Sequence, residues 1–287
     1  MLQRSLTALL LIPPVVYLVG WSPRWLFLLA LIATVELGLY EFFVLSRQAG
    51  IKGLPALGYA AGGALCVAQA YALHTPTPWV CLLLILLLLM ALGLPLHGAA
   101  DLRGYLGAVA STVFGTIYVA VTLSCLVPLR FSEPAMGGKW FIGPGFSSQT
   151  TGRNLLLFLF LVIWAGDIFA FLVGRAIGRI LLVPRVSPRK TVEGAVAGLV
   201  GSMLVAGAYA HWFWPVADLK VVILLGGLVA LSAQIGDLVE SALKRGANLK
   251  DSGTLLPGHG GLLDRIDSLL FGAPTLWLAL TLREFWS

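Results

Sequence analysis

Apolar runs of about 20 residues, the length that crosses a bilayer as one helix, recur along this whole chain. Apolar residues make up 59% of the 287 residues and charged residues only 11%, whereas a soluble domain carries about 25% charge. The runs predict about nine spans, at 5–21, 25–45, 55–73, 79–97, 104–128, 154–178, 191–212, 220–243 and 261–283. Because only helices and closed barrels satisfy the backbone in lipid, we expect an all-α, polytopic integral membrane protein. We expect no nucleic-acid partner.

The basic residues predict how the chain threads through the membrane. If the N-terminus is cytoplasmic, most of the 19 Lys and Arg residues fall on the cytoplasmic side, including the clusters within 175–190 and 244–265. Cytoplasmic loops of membrane proteins carry such an excess of positive charge. We therefore expect a cytoplasmic N-terminus, an inner (plasma) membrane location and a site that faces the cytoplasm.

Polar residues are distributed unevenly and divide the chain into three parts. Residues 1–130 are mainly apolar and predict a transmembrane scaffold, in which Glu36 and Glu41 of the second span are acidic exceptions. Residues 131–153 are rich in Gly, Ser and Pro, which predicts an external loop. Residues 154–287 form a transmembrane region that carries the charged motifs, and any chemistry is expected there.

The sixth span carries an acidic residue, Asp167, where the bilayer makes charge costly. Arg175 follows about two turns later on the same helical face. A stripe of small residues runs along this helix at a spacing of four: Gly166, Ala170, Gly174 and Gly178. The stripe predicts close approach of another backbone, and the ionisable residue predicts a functional site. The alternative is that Asp167 pairs with a basic neighbour and only holds helices together.

A basic segment joins the sixth and seventh spans. Pro188 predicts a turn, and Ser187 or Thr191 would cap the helix that follows. Arg189 and Lys190 beside that helix N-terminus suit an anionic phosphate group. The alternative is an ordinary cluster of basic residues at the cytoplasmic face of the membrane.

Carboxylates of the last two spans fall on single helix faces. Asp237 and Lys244 lie about two turns apart in the eighth span, with two further polar residues on the same stripe between them. Asp264 and Asp267 begin the last span, one turn apart. Carboxylates that converge from two helices would supply the oxygen ligands that Mg²⁺ prefers, and substrate phosphates would complete the shell.

The segment 241–267 combines features that suit a metal-bound polyphosphate. It reads Ser-Ala-Leu-Lys-Arg-Gly-Ala-Asn-Leu-Lys-Asp-Ser-Gly-Thr-Leu-Leu-Pro-Gly-His-Gly-Gly-Leu-Leu-Asp-Arg-Ile-Asp. Cations, hard oxygen ligands and glycines that admit close backbone approach occur together in it. His259 has three open roles: phosphate contact, proton transfer or helix capping. The alternative, a charged loop between helices, does not require Pro-Gly-His-Gly-Gly before paired aspartates.

This segment resembles the signature of the phosphatidate cytidylyltransferases, also called CDP-diacylglycerol synthases. The resemblance runs from Ser241 to Asp267 without a gap, and the segments at Asp167, Ser187 and Asp237 resemble further family motifs in the same order. It is close over residues 154–283 and general before them. Arg189 departs from the family, where lysine is frequent; the charge is kept, but the geometry towards phosphate differs.

The resemblance implies an enzyme that joins CTP to phosphatidic acid, giving CDP-diacylglycerol and pyrophosphate, for which we expect in-line attack of the lipid phosphate on the α-phosphorus. It further implies Mg²⁺, K⁺ as a second cation, and a homodimer. The predicted catalytic residues are Lys244, Asp237 and Asp264, and the predicted metal ligands are Asp237, Asp264 and Asp267. The predicted substrate- and phosphate-binding residues are Asp167, Ser187, Arg189, Lys190, Arg245, Lys250, Asp251, His259, Gly260, Gly261 and Arg265. Asp251 would hold a lysine or a metal-bound water.

Two other functions would use a similar membrane pocket. A CTP-dependent lipid kinase, such as a polyprenol kinase, would transfer the γ-phosphate to an alcohol and release CDP. An ion-coupled transporter would use Asp167, Asp237 and Asp264 as a relay, but it leaves the glycine-rich basic segment unexplained. The released product separates the two enzymes, and magnesium-dependent nucleotide binding separates both from the transporter.

Overall fold

The protein is described here from a computed structural model that covers residues 13–71, 76–96, 102–131, 148–215, 217–255 and 260–286. Residues 13–20 are helical. The longer helices are α1 (Arg24–Gln48), α2 (Pro55–Tyr71), α3 (Pro76–Gly93), α4 (Tyr105–Phe131, with a π-helical stretch at Thr116–Val121), α5 (Ser148–Ile177), α6 (Val192–Phe213), α7 (Leu219–Gly246) and α8 (Leu263–Trp286). The helical prediction is confirmed.

Several of these helices have the length and composition of membrane spans. Among the described residues, 6 helices qualify: Arg24–Gln48, Trp79–Leu96, Tyr105–Phe131, Thr150–Ile177, Val192–Phe213 and Leu219–Gly246. Large apolar side chains stand exposed on them, for example Leu89 and Leu204, as expected of surfaces that face lipid. The polytopic membrane character is thus confirmed, while the count of about nine spans and the orientation stay predictions.

A small hairpin is the exception to the all-α prediction. Strands β1 (Leu181–Val183) and β2 (Ser187–Thr191) pair antiparallel, and the turn lies at residues 184–186. The prediction that Pro188 sets the turn is therefore wrong, because Pro188 lies within β2. A two-stranded sheet consists only of edges, where proline is tolerated. The predicted cap is present: Thr191 Oγ1 accepts a hydrogen bond of 3.2 Å from Gly194 N at the start of α6.

The chain forms two compact units. The first comprises Met1–Leu18, Ser22–Pro128 and Leu243–Ile266; the second comprises Val19–Trp21, Leu129–Ala242 and Asp267–Ser287. The segment Leu243–Ile266, which holds most of the signature, therefore belongs with the N-terminal helices. The functional division at residues 130 and 153 stays a prediction.

In the first unit, helix α1 packs its buried face against α2 and α4. A Cβ at Gly58 or Gly62 would overlap Phe43 or Leu39 of α1, so glycine lets these helices approach closely. Helix α1 ends in a Schellman motif: Ile51 N donates to Ser46 O at 2.9 Å, and Gly50 has a left-handed φ of 82°. This close packing surrounds the C-terminal half of α1, which carries Phe43 and Glu41.

In the second unit, α5 and α6 are in contact along the predicted stripe of small residues. A Cβ at Gly194 would lie 2.7 Å from Ala170 O, and a Cβ at Gly166 would lie 2.7 Å from Ser202 Oγ. Ser202 Oγ also donates to Val162 O at 2.8 Å. The structure thus confirms that the stripe admits another backbone, and this contact positions Asp167 on α5 beside the start of α6.

Candidate functional site

Two groups of predicted site residues occur in the described structure, one within each unit. The first, here called the Asp264 cluster, consists of Lys244, Ser252, Gly261 and Asp264. Lys244 Nζ donates to Asp264 Oδ1 at 2.5 Å, and their side chains are 11% and 6% exposed. A residue predicted to contact phosphate and a residue predicted to bind metal are therefore paired directly with each other.

The second carboxylate oxygen of Asp264 is held by the segment between α7 and α8. Asp264 Oδ2 accepts hydrogen bonds from Ser252 N at 3.0 Å and Gly261 N at 2.8 Å, and it lies 3.1 Å from Ser252 Oγ, whose single proton is shared with Glu41 Oε2. Two backbone donors, the shared hydroxyl and one ammonium on a single carboxylate stabilise its ionised form. Asp264 is thus fixed in orientation before any substrate binds.

The end of α7 places Lys244 at this position. Leu249 N donates to Lys244 O at 2.8 Å and Asn248 N donates to Arg245 O at 3.0 Å, which is a Schellman motif. Asn248 takes the left-handed conformation there, with a φ of 56°, and asparagine tolerates it better than most residues. The helix therefore stops just after Lys244, and the chain turns towards the segment that holds Asp264.

The remaining signature residues of the first unit face outwards where they are described. Arg245, Lys250, Asp251 and Arg265 are exposed, and Arg245 Nη1 donates to Leu249 O at 2.8 Å. Their exposure leaves the cations accessible to a soluble polyanion. Whether they bind phosphate stays a prediction.

Steric contacts within the first unit explain why two positions of the signature are glycine. Gly260 has a φ of 81°, and a Cβ there would lie 2.7 Å from Asp264 Oδ2. At Gly261 a Cβ would overlap Ser252 Oγ. These glycines admit close approach, as predicted, but the described neighbours are protein side chains. His259 lies outside the described residues, and its role stays a prediction.

The second group surrounds a cavity of about 540 Å³ in the second unit, here called the Asp237 cavity. Its volume lies within the range of about 300–1,000 Å³ typical of ligand pockets. Helix α5 contributes one face to it, with residues at successive helical positions: Asp167, Ala170, Phe171, Gly174 and Arg175. Asp167 and Arg175 thus face one cavity, as their spacing predicts.

The other walls of the cavity come from the hairpin, α6 and α7. The hairpin supplies Leu182, Arg189 and Lys190, and α7 supplies Gln234 and Asp237. Predicted site residues from three separate motifs therefore line one cavity. Ser187, which begins β2, is not among the residues that line it.

Opposite charges meet inside the Asp237 cavity. Lys190 Nζ forms an ion pair with Asp237 Oδ2, and the two side chains are 30% and 29% exposed. Asp167 lies close enough to Asp237 for the two carboxylates to repel, and close enough to Lys190 for attraction. The cavity therefore presents two carboxylates and an ammonium near one another, beside the apolar side chains of Phe171 and Leu182.

The donor set of the Asp237 cavity fits a hard cation such as Mg²⁺. Carboxylate oxygens are its usual protein ligands, and one or two suffice when phosphates supply the rest. Among the described residues, no group of three or more His, Cys, Asp or Glu is gathered as a metal site. Asp267, in the second unit, accepts a hydrogen bond from Ser268 N at 2.6 Å. The assignment of Asp237, Asp264 and Asp267 as metal ligands stays a prediction.

Gln234 and Ser252 belong to these groups but were not predicted from the sequence, and neither was the contact that Glu41 makes with Ser252. Gln234 lines the Asp237 cavity, and its Nε2 donates to Ala195 O at 3.0 Å. Ser252 contacts Asp264, and its hydroxyl also donates to Glu41 Oε2 at 2.8 Å. Two sequence features could have pointed to them, because polar groups are costly within apolar spans. Gln234 is an amide one turn before Asp237, and Glu41, the partner of Ser252, is an acidic residue in the second span.

The structure combines helices that can span a membrane with clusters of lysine, arginine and aspartate side chains. A membrane-embedded enzyme that acts on phosphate groups needs both features. A family model described as the Cytidylyltransferase family matches residues 2–283. The chain therefore belongs to the cytidylyltransferase family.

Named relatives agree with this family membership. The chain is 32% identical over 265 residues to a phosphatidate cytidylyltransferase of Synechocystis sp., an alignment that covers 88% of this chain and 87% of the relative. It is 42% identical over 142 residues to a phosphatidate cytidylyltransferase of Staphylococcus aureus strain COL, covering 47% of this chain and 54% of that relative. It is also 37% identical over 177 residues to the uncharacterized protein YnbB of Escherichia coli K12, covering 62% of this chain and 55% of that relative, whose name gives no activity.

Proposed function

We propose that this protein transfers the cytidylyl group of CTP to phosphatidic acid, giving CDP-diacylglycerol and pyrophosphate in phospholipid biosynthesis. The observation that carries the proposal is the match of the chain to the cytidylyltransferase family over residues 2–283. The alignment with the phosphatidate cytidylyltransferase of Synechocystis sp. covers 87% of that relative. Its name points to phosphatidic acid as the acceptor.

The Asp237 cavity supports a substrate that is anionic at one end and apolar at the other. Lys190, Arg189 and Arg175 can offset phosphate charge, while Phe171 and Leu182 offer apolar surface. Phosphatidic acid has both properties, and a head group at the depth of this cavity would leave its acyl chains among the apolar helices. The cavity therefore suits the lipid substrate or the lipid product.

The reaction requires charge neutralisation more than proton transfer. The attacking group is a phosphate oxygen that is already anionic, so no strong general base is needed. We assign the lysines and arginines of the two groups to binding and orienting phosphates. Lys244 would contact a CTP phosphate, and Asp264 would then exchange its ammonium partner for another cation.

We propose Mg²⁺ as the cofactor, held by Asp237 and Asp264, with Asp267 as a further ligand. The assignment rests on the resemblance of their motifs to the family signature and on the oxygen chemistry of the donors. When bound, Mg²⁺ would neutralise phosphate charge that otherwise repels the lipid anion. K⁺ as a second cation belongs to the same proposal.

We further propose about nine spans, a cytoplasmic N-terminus and a site that faces the cytoplasm of the inner membrane. The excess of Lys and Arg in the predicted cytoplasmic segments supports this orientation.

We also propose that the protein forms a homodimer. Native mass spectrometry of protein released from detergent would test this oligomeric state. A protein that is monomeric at all concentrations in lipid-containing detergent would contradict the dimer.

The function is tested with purified protein, phosphatidic acid, Mg²⁺ and CTP labelled separately at the α- and γ-phosphates. We expect label from the α-position in lipid and release of pyrophosphate. Label from the γ-position in an added lipid alcohol, with CDP released, would instead identify a CTP-dependent lipid kinase. Transfer of neither label by folded protein would contradict both enzymes and favour a transporter.

A further inference from the structure

A buried carboxylate of the N-terminal half lies against the signature segment in the first unit. Glu41, on helix α1, is only 2% exposed. Its Oε1 accepts a hydrogen bond from Leu262 N, and its Oε2 accepts one from Leu263 N, each at 2.8 Å. Oε2 also accepts from Ser252 Oγ at 2.8 Å. One side chain therefore contacts Ser252 on one side of the signature segment and Leu262 and Leu263 at the start of α8.

The bonds of Glu41 explain how α8 begins. The first N–H groups of a helix have no partner within the helix and need an acceptor from elsewhere. Acceptors at this position usually come from the residue just before the helix. Here the acceptor for Leu262 and Leu263 comes from α1, more than 200 residues earlier. The start of α8 is thus set by α1.

Two signature glycines make room for this carboxylate. A Cβ at Gly253 would lie 2.7 Å from Glu41 Oε1, and a Cβ at Gly261 would overlap Glu41 Oε2. Any larger residue at either position would displace the carboxylate or the loop. Part of the glycine content of the segment is therefore explained by Glu41 and not by a phosphate.

The contact continues from Glu41 to the predicted catalytic residues through one side chain. Ser252 Oγ lies 2.8 Å from Glu41 Oε2 and 3.1 Å from Asp264 Oδ2, and Ser252 N donates to Asp264. Asp264 in turn binds Lys244. A shift of the loop at Glu41 would therefore change the positions of Asp264 and Lys244.

We propose that Glu41 is a positioning residue: its buried carboxylate holds Ser252 and the start of α8 at Leu262 and Leu263 in the positions that orient Asp264 and Lys244 for the reaction. The inference rests on the proposed function for its kinetic consequence. Its structural consequence, a loop held by Glu41, does not depend on which reaction the protein performs.

The test compares Glu41→Gln with Glu36→Gln in the full-length protein. Gln replaces one acceptor oxygen by an NH₂ group, so at least one of the three donors at Glu41 loses its acceptor. Glu36 lies on the same helix, undergoes the same chemical change and contacts Gly63 instead of the loop. It is therefore a matched control for charge loss within α1.

Two quantities are measured for each variant. Hydrogen exchange followed by mass spectrometry reports on peptides that span residues 252–263, and kcat for α-label transfer is measured well below the melting temperature of each variant. We expect Glu41→Gln to increase exchange in these peptides and to lower kcat at least about tenfold. We expect Glu36→Gln to change neither quantity by more than about twofold.

The kinetic readout separates positioning from simple stabilisation. A purely structural role would lower the melting temperature of Glu41→Gln but leave kcat of the folded protein unchanged, and that result would overturn the proposal. Unchanged exchange in residues 252–263 would also overturn it. If wild-type protein showed no transfer, the proposed function would fail, while the exchange data would still decide whether Glu41 holds the loop.

Ser252→Ala provides a second variant in case Glu41→Gln does not fold. It removes the hydroxyl that contacts both carboxylates but leaves the buried Glu41 and its two backbone donors in place. We expect faster exchange in the same peptides and a lower kcat than wild type. Wild-type values of both quantities in Ser252→Ala would overturn the proposal.

Discussion

Lys244 and Asp264 form a buried ion pair, with Nζ 2.5 Å from Oδ1 and side-chain exposures of 11% and 6%. Removing one partner of a buried ion pair lowers the stability of the folded state, because the remaining charge is buried without a partner. The pair therefore has two consequences that must be separated: removing one partner destabilises the first unit, and the intact pair holds two predicted catalytic groups next to each other.

The first prediction concerns Asp264→Asn. We expect α-label transfer to fall at least about 100-fold, because the change removes a negative charge from a preorganised polar site. Folding is expected to be retained, since asparagine keeps the shape, although the melting temperature should fall. Activity and melting temperature are measured on the same detergent preparation. A folded and fully active variant would contradict the role of Asp264.

The double variant Lys244→Met/Asp264→Asn distinguishes stability from activity. Removing both charges leaves no uncompensated ion, and the amide oxygen of asparagine can still accept from Ser252 N and Gly261 N, so we expect a higher melting temperature than in Lys244→Met alone. Transfer should nevertheless stay as low as in the single variant, because neither group is present. Equal melting temperatures for the single and double variants would show that an unpaired Asp264 carboxylate does not destabilise the first unit.

The second prediction concerns Lys190→Met in the Asp237 cavity. The ion pair with Asp237 is about one-third exposed, so solvent screens it and its loss should cost less than about 1 kcal/mol of stability. Activity should fall about 100-fold or more, because phosphate binding loses a cation. Lys220→Met, an exposed cation at the start of α7, is the control and should keep wild-type transfer. Equal losses in both variants would contradict a specific role for Lys190.

Much of the fold follows from patterns that are local in sequence. Apolar runs of bilayer length located the helices, since hydrophobic length alone sets that signal. The spacing of Asp167 and Arg175 predicted their shared helix face. Residue type limited the helix cap to Ser187 or Thr191, and the structure shows that it is Thr191. The hairpin at residues 181–191 was missed because its three-residue first strand is too short to show an alternating pattern.

The contacts across long sequence separations were not predictable. Nothing near Glu41 indicates that it caps a helix that begins at Leu263, because that contact depends on how α1 packs in the first unit. The ion pairs of Lys190 with Asp237 and of Lys244 with Asp264 likewise join separate elements. The sequence identified these four residues as candidates by type and motif, but their pairing required the structure.

The third prediction concerns the contact between α5 and α6. In Gly194→Ala the new methyl group would lie 2.7 Å from Ala170 O and 3.2 Å from Gly174 Cα. Both are backbone atoms that cannot rotate away, so we expect a loss of about 1–3 kcal/mol, as for overpacked cores. Thermal unfolding in detergent measures this change as a lower melting temperature.

Gly93→Ala is the matched control for that substitution. Its Cβ would meet no atom within 4 Å, and alanine is the better helix former, so its melting temperature should be unchanged or slightly higher. If both variants changed the melting temperature equally little, the close approach of α5 and α6 would not require glycine at position 194.

The fourth prediction concerns the metal. We expect EDTA to abolish α-label transfer and added Mg²⁺ to restore it, because the charge of two phosphate anions must be offset. Mg²⁺ with CTP should also raise the melting temperature of the wild-type protein, since a ligand that binds only the folded state stabilises it. Asp237→Asn should lose this thermal shift, whereas Asp218→Asn, an exposed acid outside the cavity, should keep it. An unchanged shift in Asp237→Asn would remove Asp237 from the metal site, and transfer that persists in EDTA would contradict the metal requirement itself.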